Sequence, residues 1–141
     1  MLTENFKGFP VILKPVVEKL VSKLGFLAHE ILYLEYNPTK GAHIDPHIDD
    51  SWSWGEQIVN LNLKEPTVMT FSDGIYDYPV DLNPSDLLAI KGVARHEWTH
   101  EIKQTHIKNL RYCITFRDLS KQVQSQFPSI VSKLENPTPY F

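Results

Sequence analysis

His47 and Asp49 stand two residues apart, and His100 follows 51 residues after Asp49. Two imidazoles and one carboxylate make a facial set that can hold iron(II) and still leave coordination positions open. Further on, the run Arg111-Tyr-Cys-Ile-Thr-Phe-Arg117 alternates in a strand-like way. Tyr112, Ile114 and Phe116 fall on one face, expected to pack beneath a helix layer, and Arg111, Cys113, Thr115 and Arg117 fall on the other. Two guanidinium groups turned into a β structure are costly unless something anionic meets them. A dicarboxylic co-substrate would satisfy Arg111 through paired hydrogen bonds, and Asp49 or another acid would satisfy Arg117.

A His-x-Asp pair is a weak signal by itself. Under strict strand alternation His43 and Asp45 form an equally good pair on paper, with Pro46 expected to end or bend the strand between the two pairs. His47 and Asp49 are preferred because ligands sit at strand ends beside loops, and the segment Asp50 to Gly55 begins there. Three histidines compete for the third position. His96 and His100 share a face if residues 97–103 form a strand, and His106 lies in a polar connection where an exposed histidine is the ordinary expectation. Trp52 and Trp54, just beyond the ligand pair, read either as one apolar wall of a binding site or as loop aromatics tucked against the β structure.

The elements that must position these groups are mostly strands. Val16, Val17, Leu20, Val21 and Leu24 recur at helical spacing after Pro15, with Gly25 as the stop, which predicts one amphipathic helix. Eight strand candidates follow: Glu30 to Tyr36, His43 to Asp49, Gln57 to Leu63, Thr67 to Ser72, Tyr76 to Leu82, Asp86 to Lys91, Glu97 to Lys103 and Arg111 to Arg117. Turn residues punctuate them, among them Asn37-Pro38, Asp73-Gly74 and Asn83-Pro84. A mainly β barrel or jelly roll over residues 28–119 is expected, with helical segments at 1–27 and 120–141 and a tail from Asn136 to Phe141. A chain of 141 residues suits one domain, 1–141.

Composition excludes more than it assigns. Fourteen Lys and Arg against 17 Asp and Glu give a net charge of −3, so no overall positive field draws the chain to phosphate. The single cysteine, Cys113, leaves no internal disulfide and no zinc-knuckle spacing. No Glu sits in a His-Glu-x-x-His arrangement to support hydrolytic zinc chemistry. The first residues carry an acid and lack a signal-peptide core, and no stretch approaches a membrane span. A soluble protein of the cytoplasm or nucleus, or both, is expected, with no membrane partner.

Taken together, these motifs resemble the AlkB-type iron(II) and 2-oxoglutarate dependent dioxygenases. The resemblance runs through Tyr36-Asn-Pro, Pro46-His-Ile-Asp-Asp50, Leu87 to Gly92, Ala94-Arg95, Trp98-Thr-His-Glu-Ile102 and Arg111 to Arg117. Asp45-Pro-His-Ile-Asp-Asp50 and the Ser51 to Glu56 loop are most similar to the homologue 4 branch of that family. The resemblance implies a double-stranded β-helix, jelly-roll and cupin-like, and selects His47, Asp49 and His100 as the metal ligands and catalytic set. It implies that Tyr36 and Arg111 hold the distal carboxylate of 2-oxoglutarate, that Arg117 steadies Asp49, and that O2 is consumed. The activity implied is oxidative N-demethylation of a methylated protein lysine, actin-like and with actomyosin-related partners, or of N6-methyladenine in DNA. A protein hydroxylase of the same fold and a non-catalytic binding module are the alternatives. Two departures stand out: Cys113 replaces an asparagine common in the family, and the longer N-terminal region that covers the substrate side is expected to be lacking.

Overall fold

The computed structural model describes residues 8–134. The expected tail at 136–141 and the N-terminal reading of residues 1–7 lie outside the described residues. Helix α1 (Lys14–Leu24) has Pro15 in its first turn, where a missing N–H costs nothing, and ends at Gly25, whose φ of 60° is left-handed. Strands β1 (Glu30–Tyr36), β2 (Ile44–His47), β3 (Trp54–Leu63), β4 (Thr67–Ser72), β5 (Asp77–Leu82) and β6 (Leu87–Lys91) follow. Then come helix α2 (Val93–His96), β7 (Thr99–Ile102), β8 (Arg111–Leu119), α3 (Lys121–Gln126) and α4 (Pro128–Leu134). No helix among the described residues is long and apolar enough to cross a membrane.

The strands form two antiparallel sheets, ordered β1-β8-β3-β6 and β2-β7-β4-β5. Each consecutive strand from β1 to β4 crosses to the other sheet or returns, which is the double-stranded β-helix arrangement expected. Between the sheets lies one apolar layer that includes Met69, Phe71, Leu82, Ile90 and Ile102. On the outer side of the β8 sheet, Val59, Ile114 and Phe116 meet Leu13, Val17 and Leu20 from the α1 region. Ile114 and Phe116 therefore occupy the helix-facing side, as their alternation predicts. Tyr112 departs from that pattern, being 37% exposed at the start of the strand. A third cluster joins Leu119 to Val123, Val131 and Leu134 and seats the two C-terminal helices.

Two expected strands are shorter than their patterns suggest. The stretch 43–49 narrows to Ile44–His47, and its pairing with β7 slips between Ile44 and His47, where Pro46 lacks a ladder donor. The stretch 97–103 narrows to Thr99–Ile102, because residues 93–96 coil into α2. Four residues are too few to carry a helical period, so α2 leaves no mark in the sequence. Its entry, Gly92, has φ 61° and ψ −138°, a conformation that suits glycine alone.

At the β3–β8 register shift, Asp118 lies so close to Gly55 that a Cβ there would run into its carboxyl group. Burial pushes the Asp118 carboxyl above the ordinary carboxylate range, and Oδ1 finds no hydrogen-bond donor among the described residues. The unfolded chain releases this proton first as pH rises, so the folded state bears the cost of charging it above its raised pKa. Asp118→Asn should therefore unfold at higher urea than wild type at pH 7. That advantage should shrink as the pH falls and vanish below about pH 4, where both states are protonated.

Candidate metal centre and co-substrate pocket

Strand β2 pairs with β7 so that His47 lies directly opposite His100. Directly opposed residues project to one face, and the two imidazole centroids are 4.3 Å apart, tilted by 51°. His100 is buried against Phe71, with a centroid separation of 5.8 Å. Asp49 lies past the end of β2, so strand alternation does not place it. The turn after β2 brings its Oδ2 to 3.4 Å from His100 Nε2. One ligand atom from each of His47, Asp49 and His100 falls within 4.8 Å of the others, which makes the trio a group able to hold a metal ion.

The surroundings set the state of these groups. His47 Nδ1 donates to the Asp45 carbonyl at 2.9 Å, which leaves Nε2 as the ring's lone-pair nitrogen. Burial raises the Asp49 carboxyl, but the hydrogen bond from His100 and the charges of His100, His47 and Arg117 outweigh it. Asp49 is held below the ordinary carboxylate range. Arg117 Nη1 is 3.5 Å from Asp49 Oδ1, while Nε and Nη2 both reach Glu30 Oε2 at 2.5 Å. Its guanidinium also lies over the Trp54 ring at 4.4 Å. With Oδ1 turned to Arg117, the Asp49 oxygen beside the imidazoles is Oδ2.

A cavity of about 170 Å³ opens beside this group. His47, Asp49, His100 and Arg117 line one part, and Tyr36, Asn60, Cys113 and Thr115 line another, with Leu34, Ile58 and Met69 among the apolar walls. Arg111 touches this lining through Tyr36, whose ring centre is 4.6 Å from the guanidinium carbon. Only 1% of Arg111 is exposed. Its Nε donates to Asn62 Oδ1 at 2.5 Å, and neither Nη1 nor Nη2 has an acceptor among the described residues. A buried cation with two idle donors fits a carboxylate ligand. Burial pushes the Tyr36 hydroxyl up to about 12 despite the neighbouring Arg111 charge, so it stays protonated and able to donate.

The rival histidines and acids lie elsewhere. His43 and Asp45 face each other at 3.3 Å on the surface. His96 ends α2 and meets Glu56 at 3.1 Å, so the parity that equated it with His100 does not apply. His106 lies in the connection before β8 and does not join the group. Trp54 packs against the C-terminal cluster, whereas Trp52 is 50% exposed.

Two β3 residues escaped the sequence reading. Asn60 Oδ1 accepts from Thr115 Oγ1 at 2.7 Å and from the Cys113 thiol at 3.8 Å. Asn62 spends its Nδ2 on the carbonyls of Glu65 and Leu82, which aims Oδ1 at Arg111. Their signal was present: two asparagines at alternate positions in the apolar run Ile58 to Leu63.

Two antiparallel sheets enclosing a His-Asp-His group place the chain among the double-stranded β-helix proteins. The solved structure of OsALKBH1 shares this fold at a TM-score of 0.60, with 15% identity, over 78% of this chain and 64% of that one. In sequence, the chain is 33% identical over 155 residues to the alpha-ketoglutarate-dependent dioxygenase alkB homolog 4 of Homo sapiens, over 85% of this chain and 51% of the relative. It is 32% identical over 126 residues to a DNA N6-methyl adenine demethylase of Caenorhabditis elegans, over 84% of this chain and 43% of the relative. No family model matches the chain. The chain is AlkB-like, similar to the homologue 4 dioxygenases, and spans about half the length of the curated relatives it matches.

Arg117→Met removes the cation that Glu30 and Asp49 share. Its unfolding free energy in urea at pH 7 should fall by about 2 kcal/mol or more.

Proposed function

We propose that the chain is the core of an iron(II)- and 2-oxoglutarate-dependent dioxygenase that removes N-methyl groups by oxidation. The observation that carries this reading is the convergence of His47, Asp49 and His100 within 4.8 Å of one another. Residues 1–141 are proposed to act as one unit, with the β-helix over 28–119 as its scaffold. With co-substrate and O2 bound, iron(II) supplies an oxidation that turns 2-oxoglutarate into succinate and carbon dioxide and hydroxylates a C–H bond.

The protein's own contribution is placement. His47, Asp49 and His100 are the residues that would hold the metal, and Arg117 occupies Asp49 Oδ1 so that Oδ2 is presented. Tyr36 and Arg111 receive the distal carboxylate of 2-oxoglutarate, with the idle Nη1 and Nη2 as its donors. Asn62 holds that guanidinium in plane through Nε. Leu34, Ile58 and Met69 keep water from the reacting atoms. A hydroxylated N-methyl group falls apart to formaldehyde and the free amine without a protein base, so the site needs geometry more than acid and base groups.

The substrate is proposed to be a methylated protein lysine, actin-like, or N6-methyladenine in DNA, the base named for the Caenorhabditis elegans relative. The net charge of −3 favours the protein, with actomyosin-related proteins as partners. Cytoplasm or nucleus is the proposed setting, since a reducing compartment keeps iron in the divalent state.

Purified protein supplied with iron(II), 2-oxoglutarate and oxygen should form succinate, and should release formaldehyde from a methyl-lysine peptide or a methyladenine oligonucleotide. Oxygen retained in the product without formaldehyde would assign protein hydroxylation instead, and no succinate under any condition would leave only a binding role. Asp49→Ala should abolish turnover, whereas Asp45→Ala should keep most of it. Arg111→Ala should weaken 2-oxoglutarate binding by roughly ten- to a hundredfold, the worth of a charge-assisted contact.

A further inference from the structure

Strand β2 ends at His47, so the position of Asp49 depends on whatever holds the turn that follows. Asp50 organises that turn locally, its carboxylate accepting from the backbone of Trp52 at 2.9 Å and Ser53 at 3.0 Å. These bonds shape the turn without tying it to the rest of the molecule. Ser120 ties its far side to the end of β8, its backbone N–H donating to the Ser53 carbonyl at 2.9 Å and its Oγ to the Trp52 carbonyl. The backbone at Asp49 itself is gripped by Arg95, which is 2% exposed. Its Nη1 donates to the Asp49 carbonyl at 2.8 Å, and its Nη2 donates to the carbonyls of Asp50 at 3.0 Å and Trp54 at 3.3 Å.

We infer that Arg95 is a positioning residue for the metal group, a clamp from α2 that fixes the Asp49 backbone relative to His100. The inference rests on the metal assignment proposed above. Its physical basis is that Arg95 and His100 are five residues apart on one segment, α2 leading into β7, whereas the carbonyls that Arg95 meets belong to the β2–β3 connection, at Asp49 and Asp50, and to the first residue of β3, Trp54. One segment thus carries one ligand and grips the chain next to another. The distance between the imidazole and the carboxylate is set by this grip on the backbone and the β2–β7 pairing, with Arg117 turning the carboxyl group itself.

The chemistry calls for arginine. Three carbonyls fanned around a single point need donors fixed in a plane, which a guanidinium provides and a compact, strongly hydrated ammonium does not. The hydrogen bonds of Arg95 go to main-chain carbonyls of the ligand turn and the first residue of β3, and its Nε is buried without an acceptor among the described residues. A buried guanidinium whose donors serve backbone atoms of the ligand turn acts on the geometry of the site.

The test uses cobalt(II) as the probe, titrated by its visible absorption into the intact chain, with thermal unfolding followed in parallel. Arg95→Met should bind cobalt(II) about 10- to 100-fold more weakly than wild type, the usual loss when support behind a metal ligand is removed. Arg95→Lys should recover part of that loss. Val59→Ala, in the core beneath α1, provides the control: it should lower the unfolding midpoint and leave cobalt(II) affinity unchanged. If Arg95→Met does not fold, Arg95→Lys decides, weaker binding supporting the clamp and wild-type binding overturning it. Cobalt(II) affinity lost in Asp49→Ala but intact in both Arg95 variants would sink the role of Arg95 alone. Wild type that binds no cobalt(II), or Asp49→Ala that binds it as tightly as wild type, would sink the metal assignment and the inference with it.

Discussion

The opposition of His47 and His100 across the β2–β7 ladder is the constraint on which the rest of the site depends. Antiparallel pairing puts two residues from distant parts of the chain side by side on one face, and a slip by one position would turn one imidazole away. The irregularity at Pro46 lies on the outer side of that pair, between Ile44 and His47, so the disturbance ends before the ligand begins. The same row continues across the sheet to Phe71, which backs His100 and closes it off from solvent. A buried His100 gives the Asp49 turn a definite partner to meet.

Three arginines meet the problem of a buried cation in three ways, and each solution carries functional information. Arg117 has its carboxylates within the protein, Glu30 and Asp49, and adds the face of Trp54. It is the satisfied member, and its role is to orient Asp49. Arg95 is met by backbone carbonyls and lends order to a turn. Arg111 is met on one side only, by Asn62 and the Tyr36 ring, and keeps two donors idle. A fold selected for stability alone would replace such a group with an apolar side chain of similar volume. Its retention is what a site for an anionic ligand looks like before the ligand arrives. Asn60, Thr115 and Cys113 form a separate small polar network beside it, so the position expected to hold asparagine is filled by a thiol that bonds weakly to Asn60.

Much of this was legible in the residues because the underlying rules are local. The bounds of β1 and β4 follow directly from β-rich runs between turn residues, and α1 from its apolar spacing, Pro15 and Gly25. The polar face of β8 was readable because period-2 alternation holds from Cys113 to Arg117, with Cys113, Thr115 and Arg117 on the cavity side and Ile114 and Phe116 against the helix layer. Alternation failed where the backbone stopped being a strand. Asp49 was placed beside His47 by parity, yet it belongs to a turn, and it reaches the group by a route that parity does not describe. His96 was matched to His100 by the same rule, and α2 separates them. Asn60 and Asn62 were visible as oddities in an apolar strand, but their meaning needed their partners on β8.

By itself the amino-acid order determined the types of side chain, the strands that carry most of them and the donor set available to a metal, because these depend on neighbours a few residues away. Only the tertiary structure decided that His47 and not His43 faces His100, that Arg117 is paired while Arg111 waits for an anion, and that Arg95 grips the Asp49 turn. Those outcomes depend on register between strands and on contacts spanning 41 to 87 residues, and no local pattern encodes which of several similar residues the folded chain will bring together.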